Sequence, residues 1–387
     1  MSLPNRNNPY NFESFLAWRN GLNLYEDIPF IKKAVQRYAG SLGSEVEADL
    51  ERFADKHASK LKQLSDAAGT QEKAPYMMHF DGHNNRIDRI VRPAETLELE
   101  KEVWDEAVFA EGVDPWARFL KIYLLTALGE SGVNCAHCCT GGLNLLLERF
   151  ADTPELERIH QHLTNGIDGD YGIAAQFLSE IQGGSDVAAN LTEAVNTGGE
   201  WRIYGTKFYC SAAHADYAVI TAKPSDSDDV AIFLVPSWLS GDKDKEKRNS
   251  FVINKIKSKL GTRELPTAEI TYNGSVAYPL GDLKKGLSNI VGIVLSHSRF
   301  ISGLGPGAQM MRVTEEAKHY AELRTAFGVT INNFGLVAAT LQTLDKYTAR
   351  TTEASFKLQL ENLSKSTTTH DAAVACSLFT ETPSGYH

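Results

Sequence analysis

Residues 176–186, Gln-Phe-Leu-Ser-Glu-Ile-Gln-Gly-Gly-Ser-Asp, are the most informative stretch of this 387-residue chain. Hydroxyl side chains flank a Gly-Gly pair, which lets the backbone approach a ligand closely. After a predicted strand, residues 205–211 read Gly-Thr-Lys-Phe-Tyr-Cys-Ser. Hydroxyls and backbone N–H groups can bond the polar edge of an isoalloxazine ring, and an aromatic side chain can cover its face. The two segments together predict a flavin site.

The composition predicts an ordinary globular protein and argues against two classes of partner. The chain has 39 basic and 49 acidic residues, which gives a net charge of −10. This charge argues against nucleic acid or an anionic membrane as the main partner, because both repel an acidic surface. The longest apolar run, residues 290–295, is too short to cross a bilayer. We therefore expect neither a nucleic-acid nor a membrane partner.

The chain termini and the cysteines bear on the cellular compartment. Residues 1–6 contain no apolar signal core, and the final Gly-Tyr-His is not a peroxisomal address. Five cysteines in a chain of this length do not form a secreted disulfide framework. We expect an intracellular protein, cytoplasmic by default, and the peroxisome and the mitochondrion stay open as alternatives.

Helical periodicity dominates residues 1–165. Apolar residues recur at helical spacing over residues 45–64, and residues 116–128 are apolar on all sides, which is typical of a buried helix. Residues 76–93 contain Gly82 and several asparagines, which favours an irregular loop. We predict an N-terminal helical domain over residues 1–165.

Short β-type runs dominate residues 166–285. They lie between Trp201 and Tyr272, and turn signals such as Gly198-Gly199 and Asn273-Gly274 separate them. This pattern predicts an antiparallel sheet or a small barrel. The two segments of the predicted flavin site fall inside this β domain.

Helical periodicity returns in residues 286–387. Residues 320–327 place two aromatic side chains, a leucine and an arginine on one helix face, and Gly328 is placed to end that helix. Residues 336–360 predict a second long helix, and the chain becomes rich in Ser and Thr after Ser364. We predict an α+β fold whose last part is an incomplete helical bundle with an irregular tail.

Four motifs in a fixed order connect the chain to a known family. They are residues 177–186, residues 205–211, Lys-Leu-Gly-Thr-Arg at 259–263, and the Arg-x-x-Phe-Gly pattern at 324–328. Their order and spacing resemble the acyl-CoA dehydrogenase superfamily of flavoproteins, over residues 75–360. The chain looks most similar to the branch that includes the bacterial adaptive-response flavoproteins, with a shortened C-terminus. The resemblance implies FAD as cofactor and an acyl-CoA or a similar small molecule as substrate.

The resemblance also implies roles for single residues. Ser179 stands where a hydroxyl bonds the pyrimidine edge of the flavin, and Ser211 stands where one reaches flavin N5. Tyr209 replaces the tryptophan that the family usually places over the ring. The predicted cofactor-binding residues are Gln176, Ser179, Ser185, Tyr209, Cys210, Ser211, Arg324 and Phe327.

Other family positions concern the substrate and the assembly. Ser185 stands near the flavin phosphates and the CoA arm, and Arg299 matches an arginine near the substrate end of the site, so both are predicted to bind substrate. Arg324 and Phe327 match a pair that reaches the cofactor of a neighbouring subunit, and an arginine suits a pyrophosphate. The resemblance therefore implies a homodimer or a homotetramer.

The implied reaction is oxidation of an acyl-CoA thioester to the 2-enoyl-CoA. A base removes the α-proton, and the β-hydrogen leaves as a hydride to flavin N5. The family places its catalytic glutamate either directly before the position of Arg299, where this chain has Ser298, or in a late loop that this chain ends before. No catalytic residue is assigned, and turnover is expected to be impaired. The sequence identifies no electron acceptor.

Other interpretations of the motifs stay open or rank lower. A flavin oxidase or monooxygenase of the same fold would show rapid reoxidation by oxygen, and a non-catalytic flavin-binding interaction protein would show no reduction by acyl-CoA. Residues 135–139, Cys-Ala-His-Cys-Cys, look like half a zinc site, but buried helix thiols are favoured and no metal is predicted. Residues 303–308 loosely match a dinucleotide fingerprint, and close helix packing is favoured there.

Overall fold

Helices build the first part of the chain. The computed structural model describes residues 11–364, so the predicted irregular tail beyond Ser364 lies outside the described residues. A π-helical turn, His57–Leu61, joins α3 to α4. The helices before residue 165 are α1 (Glu13–Gly21), α2 (Pro29–Tyr38), α3 (Ser44–Lys56), α4 (Lys62–Ala68), α5 (Ala94–Trp104), α6 (Pro115–Ala127), α7 (Gly132–Phe150) and α8 (Pro154–Thr164).

The start of α6 shows how the sequence specifies one of these helices. The Asp114 carboxylate accepts hydrogen bonds from the N–H groups of Trp116 at 2.8 Å and Ala117 at 3.0 Å. Pro115 occupies the first helical turn, where its missing N–H costs nothing. Most of the helix is buried, which confirms the helix predicted over residues 116–128.

Residues 76–93 form a β-hairpin, so the loop predicted there is wrong. Strand β1 (Tyr76–Phe80) pairs antiparallel with β2 (Arg86–Val91). Gly82 and the asparagines occupy only the tip, where the Asp81 carboxylate accepts two backbone N–H groups at 2.8 Å. The polar residues of this tip dominate the composition of the segment, so the sequence pattern predicted a loop and not the two strands beside the tip.

The middle of the chain forms a closed, barrel-like sheet. Its strands are β3 (Ala174–Phe177), β4 (Glu193–Thr197), β5 (Glu200–Ser211), β6 (Tyr217–Pro224), β7 (Ala231–Pro236), β8 (Phe251–Ile256) and β9 (Thr267–Pro279). Strands β6, β7, β9, β5 and β4 pair in that order, and β4 pairs back with β6. Strand β3 also pairs with β6, and β8 pairs with β9. The predicted sheet or barrel is confirmed, but β3 and β4 run parallel to β6 rather than antiparallel.

A β-bulge stands where one turn was predicted. Asn273 and Gly274 lie inside β9, not between two strands. Across the pair, Ile203 faces Ser275 and Tyr204 faces Asn273, so Gly274 is the extra residue. Its φ of +89° is one that glycine adopts readily. An Asn-Gly pair is therefore a bulge here, and the predicted turn is wrong.

Two long helices form the C-terminal part. The elements are α9 (Gly286–Asn289), a π-helical segment (Ile290–Leu295), α10 (Ser296–Leu323), the short strands β10 (Thr325–Ala326) and β11 (Val329–Thr330), and α11 (Gly335–Ser364). Helices α10 and α11 approach closely at Gly307, where an added Cβ would lie 3.4 Å from Ser355 Oγ and from the Thr351 backbone. The interpretation of residues 303–308 as a helix contact is confirmed.

The prediction that residues 320–327 share one helix face is wrong. Helix α10 ends at Leu323, and Arg324 is already extended. The chain then turns sharply between β10 and β11, with φ of +51° at Phe327 and +83° at Gly328. The helical spacing of the pattern continued for one turn beyond the helix itself.

One hydrophobic core connects the three parts of the chain. It includes Leu120 of α6, Ile220 of β6 and Phe356 of α11. The domain limits after residues 165 and 285 stay predictions. Within residues 11–364, no helix has both the length and the apolar character needed to cross a membrane.

Candidate functional site

A backbone hydrogen bond joins the two segments of the predicted flavin site. The N–H of Phe208, in β5, donates to the carbonyl of Ser179 at 3.0 Å. Ser179 follows the end of β3, which pairs with β6. The fold therefore brings residues 176–186 and 205–211 side by side, although β4 separates them along the chain.

The Gly-Gly pair shapes the loop that carries Ser179 and Ser185. Glu180 and Gly183 exchange backbone hydrogen bonds at 3.2 and 3.1 Å, which closes a tight turn. An added Cβ on Gly184 would lie only 2.4 Å from Ser179 Oγ, so any larger residue would force the Ser179 hydroxyl to move. Ser185 is exposed on the outer side of this loop.

A buried ion pair connects this loop to strand β5. Lys207 Nζ lies 2.8 Å from Glu180 Oε1, and both side chains are almost fully buried. Glu180 also accepts the N–H of Leu191 at 2.7 Å, and the N–H and hydroxyl of Thr192 at 3.1 and 2.6 Å. Every oxygen of this carboxylate therefore has donors, which a buried charge requires.

The pKa values of Glu180 and Lys207 are shifted for different physical reasons. Burial raises the pKa of Glu180. The Lys207 charge and the hydrogen bonds lower it by a larger amount, so that the pKa is about 2. Burial lowers the pKa of Lys207, and the attraction of Glu180 opposes that shift. Neither Glu180 nor Lys207 was predicted from the sequence to have a role. The sequence signal for this ion pair is a glutamate in the first flavin motif and a lysine in the second.

Tyr209 presents its ring to the outside of the barrel. Its side chain is 58% exposed, and the ring meets that of Phe208 edge-on at 4.8 Å. Lys257 Nζ lies 3.3 Å from the Phe208 ring centroid and 4.7 Å from that of Tyr209. The structure thus offers a free aromatic face with a cation beside it.

A chain of hydrogen bonds runs behind Ser211. Ser211 Oγ lies 3.1 Å from Thr267 Oγ1 on the neighbouring strand β9. Thr267 Oγ1 accepts from Lys259 Nζ at 3.0 Å, and Lys259 also donates to the carbonyl of Leu265 at 2.7 Å. Lys259 belongs to the Lys-Leu-Gly-Thr-Arg motif, so the third motif reaches the second through Thr267.

Cys210 and Gln176 are placed differently from the exposed Tyr209. The Cys210 side chain is fully buried in the core, so only its main chain can reach a ligand. Gln176 donates its amide N–H to Ser298 Oγ at 2.9 Å, which connects β3 to α10. The buried Oε1 of Gln176 has no hydrogen-bond partner among the described residues.

A cationic cavity adjoins the Tyr209 side of the site. It has a volume of about 580 Å³ between β8 and the hairpin β1–β2. No aspartate or glutamate within residues 11–364 lines it, and its cationic side chains are those of Lys255, Lys257, Lys259 and Arg263. Lys255 and Lys257 share one carboxylate, Glu269, at 3.3 and 2.7 Å. The cavity therefore carries positive charge beyond what its carboxylate neighbour balances.

The remaining predicted residues lie on the C-terminal part. Phe327 is 98% exposed at the β10–β11 turn and meets Phe334 edge-on at 6.3 Å. Arg324 lies at the start of the same turn. Arg299 is exposed near the start of α10, next to Ser298. Their predicted roles stay predictions, since each concerns a bound molecule or a second subunit.

The cysteines of α7 are the residues that resemble half a zinc site in the sequence. Within the described part of the chain, no group of three or more His, Cys, Asp or Glu side chains could hold a metal ion. Cys139 is buried, and Cys135 and Cys138 are partly buried. Burial raises the pKa of the Cys138 thiol to about 12, so it stays protonated at neutral pH.

The barrel and its two helical parts define a class of protein that comparison with known proteins identifies. The acyl-CoA dehydrogenase middle domain matches residues 175–275, which are the barrel and its flavin motifs. Acyl-CoA dehydrogenase family member 11 of Caenorhabditis elegans is 28% identical over 348 residues, 84% of this chain and 55% of that protein. The putative acyl-CoA dehydrogenase AidB of Escherichia coli is 26% identical over 329 residues, 80% of this chain and 58% of that protein.

Solved structures agree with the sequence matches. The C. elegans protein ACDH-11, in complex with C11-CoA, superimposes with a TM-score of 0.78 at 26% identity, over 92% of this chain and 63% of that one. The apo form of Bd2924 shares the fold with a TM-score of 0.83 at 24% identity, over 92% of this chain and 74% of that one.

The chain is thus similar to acyl-CoA dehydrogenases along most of its length, and its residues 175–275 match the middle domain of that family. It spans about half the length of the curated relatives that it matches, 55% and 58% of the two named above.

Proposed function

We propose that this protein binds FAD and oxidises an acyl-CoA thioester with it. The observation that carries the proposal is the contact between the two flavin motifs, where Phe208 donates to the Ser179 carbonyl. This contact gathers hydroxyls, main-chain groups and an exposed aromatic ring at one place. Such a set is what a flavin ring requires of a protein.

Four side chains at the site fit the polar edge and the face of a flavin. The exposed ring of Tyr209 supplies an aromatic face. The hydroxyls of Ser179 and Ser211 supply donors, one from each motif. Gln176 carries a buried amide oxygen with no partner among the described residues, and a flavin N–H would satisfy it. The residues present therefore fit the cofactor that the family implies.

The surplus positive charge supports a ligand that bears phosphate. Lys255, Lys257, Lys259 and Arg263 line the cavity beside Tyr209. FAD carries a pyrophosphate and CoA carries several phosphates, and lysine and arginine are the usual partners of such groups. We infer that this cavity receives phosphate groups of one of these molecules. Ser185, on the exposed loop, is proposed to contact the same groups.

When bound, FAD would supply the acceptor for the β-hydrogen, which leaves the thioester as a hydride. The protein must provide the base that takes the α-proton. Ser298 occupies one family position of that base, and its hydroxyl is held by the Gln176 amide. A serine hydroxyl is too weak a base for this step, so the α-proton must be taken by another group. Arg299, beside it, is proposed to contact the substrate.

The proposal also assigns a role between subunits. Phe327 is almost fully exposed at the β10–β11 turn, and Arg324 lies in the same turn. An exposed aromatic residue beside an arginine fits contact with a cofactor held by another copy. We propose that both residues reach the FAD of a neighbouring subunit in a homodimer or homotetramer.

Anaerobic mixing with acyl-CoA tests the function. The protein is loaded with FAD, freed of excess cofactor and mixed without oxygen with C11-CoA and shorter acyl-CoAs. We expect binding, seen as a change in the flavin spectrum, followed by bleaching as the flavin is reduced. Absence of any spectral change with every acyl-CoA would contradict the proposed substrate. Immediate reoxidation on admitting air would favour a flavin oxidase instead.

A further inference from the structure

We propose that Lys259 and Thr267 act as positioning residues that fix the Ser211 hydroxyl as a hydrogen-bond donor toward the bound cofactor. The proposal rests on the proposed FAD binding and concerns the direction of the hydrogen bond that Ser211 makes. Its evidence is the chain of contacts Lys259–Thr267–Ser211.

Lys259 sets the direction at one end of this chain. An ammonium group has three donors and no acceptor. Lys259 Nζ contacts the carbonyl of Leu265 at 2.7 Å and Thr267 Oγ1 at 3.0 Å. Thr267 Oγ1 must therefore be the acceptor in the second contact. The Lys259 main chain also belongs to the network, because its carbonyl accepts Arg263 Nε at 3.2 Å.

Thr267 determines which atom donates in its hydrogen bond with Ser211. Thr267 is buried, and a buried hydroxyl hydrogen needs an acceptor. Ser211 Oγ, at 3.1 Å, is the one other hydrogen-bond partner of Thr267 Oγ1 among the described residues. With Lys259 donating to it, Thr267 satisfies its own hydrogen by donating to Ser211. Ser211 Oγ is then the acceptor in that contact.

Ser211 is left with a hydrogen that no described residue accepts. Its hydroxyl contact within residues 11–364 is the one with Thr267, where it accepts. The hydrogen is therefore available to an acceptor atom of a ligand. A cation at the far end polarises the whole chain, because hydrogen bonds in series strengthen one another. Oxidised flavin N5 is an acceptor, so the direction matches the role proposed for Ser211.

The alternative is a Ser211 hydroxyl that can turn either way. A serine with no fixed partner donates to one ligand state and accepts from another at little cost. In this protein the partly buried charge of Lys259 disfavours the reversed arrangement, since Thr267 would then leave its own hydrogen without an acceptor. The two cases differ in what removal of the Thr267 hydroxyl does at N5.

Nitrogen NMR at flavin N5 distinguishes the two cases. FAD labelled with ¹⁵N at N5 is loaded into the wild-type protein and into Ser211→Ala, Thr267→Val, Thr267→Ser and Lys259→Met. A pyridine-type nitrogen that accepts a hydrogen bond resonates upfield. We expect Ser211→Ala, Thr267→Val and Lys259→Met to move the oxidised N5 signal downfield, and Thr267→Ser to restore the wild-type position.

Thr271→Val is the matched control. Thr271 lies on the same strand β9, and its hydroxyl contacts Thr206 at 3.0 Å, not Ser211. It should leave the N5 signal unchanged. A wild-type signal in both Thr267→Val and Lys259→Met would overturn the inference while leaving FAD binding intact. A wild-type protein that takes up no labelled FAD would instead contradict the proposed function, on which the inference depends.

Discussion

Lys207 and Glu180 hold the two flavin motifs against each other at the residue scale. Lys207 comes from β5 and Glu180 from the loop after β3, and the charges meet at 2.8 Å in a buried place. The loop that carries Ser179 is therefore tied to the barrel by a charge pair rather than by apolar contact alone. If one partner is removed, the other charge stays buried without a counter-charge and without contact with water.

Lys207→Met should destabilise the protein strongly. Glu180 would stay buried without its counter-charge, which costs about 3–5 kcal/mol in comparable pairs. The free energy of unfolding in urea measures the change. The double variant Glu180→Gln, Lys207→Met should recover part of the loss, because no unpaired charge remains. Lys245→Met, at an exposed lysine, is the control and should change little.

The stabilities of these variants, compared with one another, test whether the Glu180–Lys207 pair stabilises the protein. Equal stability of Lys207→Met and Lys245→Met would show that the Glu180 charge is compensated by its backbone donors alone. A double variant that is less stable than the single one would show that the apolar replacement, rather than the stranded charge, causes the loss.

Tyr209→Ala should weaken FAD binding by about tenfold, because aromatic stacking contributes roughly 1–2 kcal/mol with its buried area. Fluorescence titration with FAD measures the dissociation constant. Tyr204→Ala is the control, since Tyr204 is also exposed and lies on the same strand. Equal affinity of the two variants would place the ring elsewhere than over the flavin.

At the element scale, the loop between β3 and β4 depends on its glycines. Gly184→Ala would bring a Cβ within 2.4 Å of Ser179 Oγ and displace that hydroxyl. We expect FAD affinity to fall by at least about tenfold, with a change in unfolding free energy below about 1 kcal/mol because the loop is exposed.

Gly82→Ala is the matched control for Gly184→Ala. No atom lies within 4 Å of the Cβ that it would add, in the β1–β2 turn. It should leave both FAD affinity and stability near the wild-type values. An unchanged affinity in Gly184→Ala would show that Ser179 does not contact the cofactor.

Local sequence signals predicted the elements whose cause is local. Helix α6 has its Asp114 cap, its proline and its apolar sides within a few residues of each other. The hairpin at residues 76–93 was missed because its polar tip dominates the composition of a short segment. The end of α10 was missed because the Tyr320 to Phe327 spacing is helical while the chain itself leaves the helix at Leu323.

The candidate site follows the same rule. The two flavin motifs are contiguous in the sequence, so the hydroxyls and the aromatic ring could be named from it. The contacts that support them join distant residues: Gln176 meets Ser298 across 122 positions, and Ser211 meets Thr267 across 56. Such contacts depend on how the strands and helices are placed in space, which no short pattern specifies.

At the scale of the whole molecule, the C-terminal part exposes large apolar side chains. Phe327 is 98% exposed, Leu336 is 87% exposed and Val313 is 58% exposed. Exposed apolar side chains mark an interaction surface where they form a contiguous patch. They support the proposed association of the chain with copies of itself.

Light scattering after gel filtration should give a native mass of at least twice the 42.6 kDa of one chain. Leu336→Lys should lower that mass, because a charge in an apolar interface is costly to bury. It should also weaken FAD binding, if a neighbouring subunit completes the site. Leu97→Lys, on α5, is the control. A monomeric wild-type protein would contradict the proposed assembly.

The joined motifs are proposed to hold FAD, and uptake of the cofactor by the purified protein measures this. The purified protein is incubated with excess FAD, freed of unbound cofactor by gel filtration and examined by visible absorption. We expect a yellow protein with the flavin band and one FAD for each chain. A colourless protein, correctly folded by circular dichroism, would contradict it.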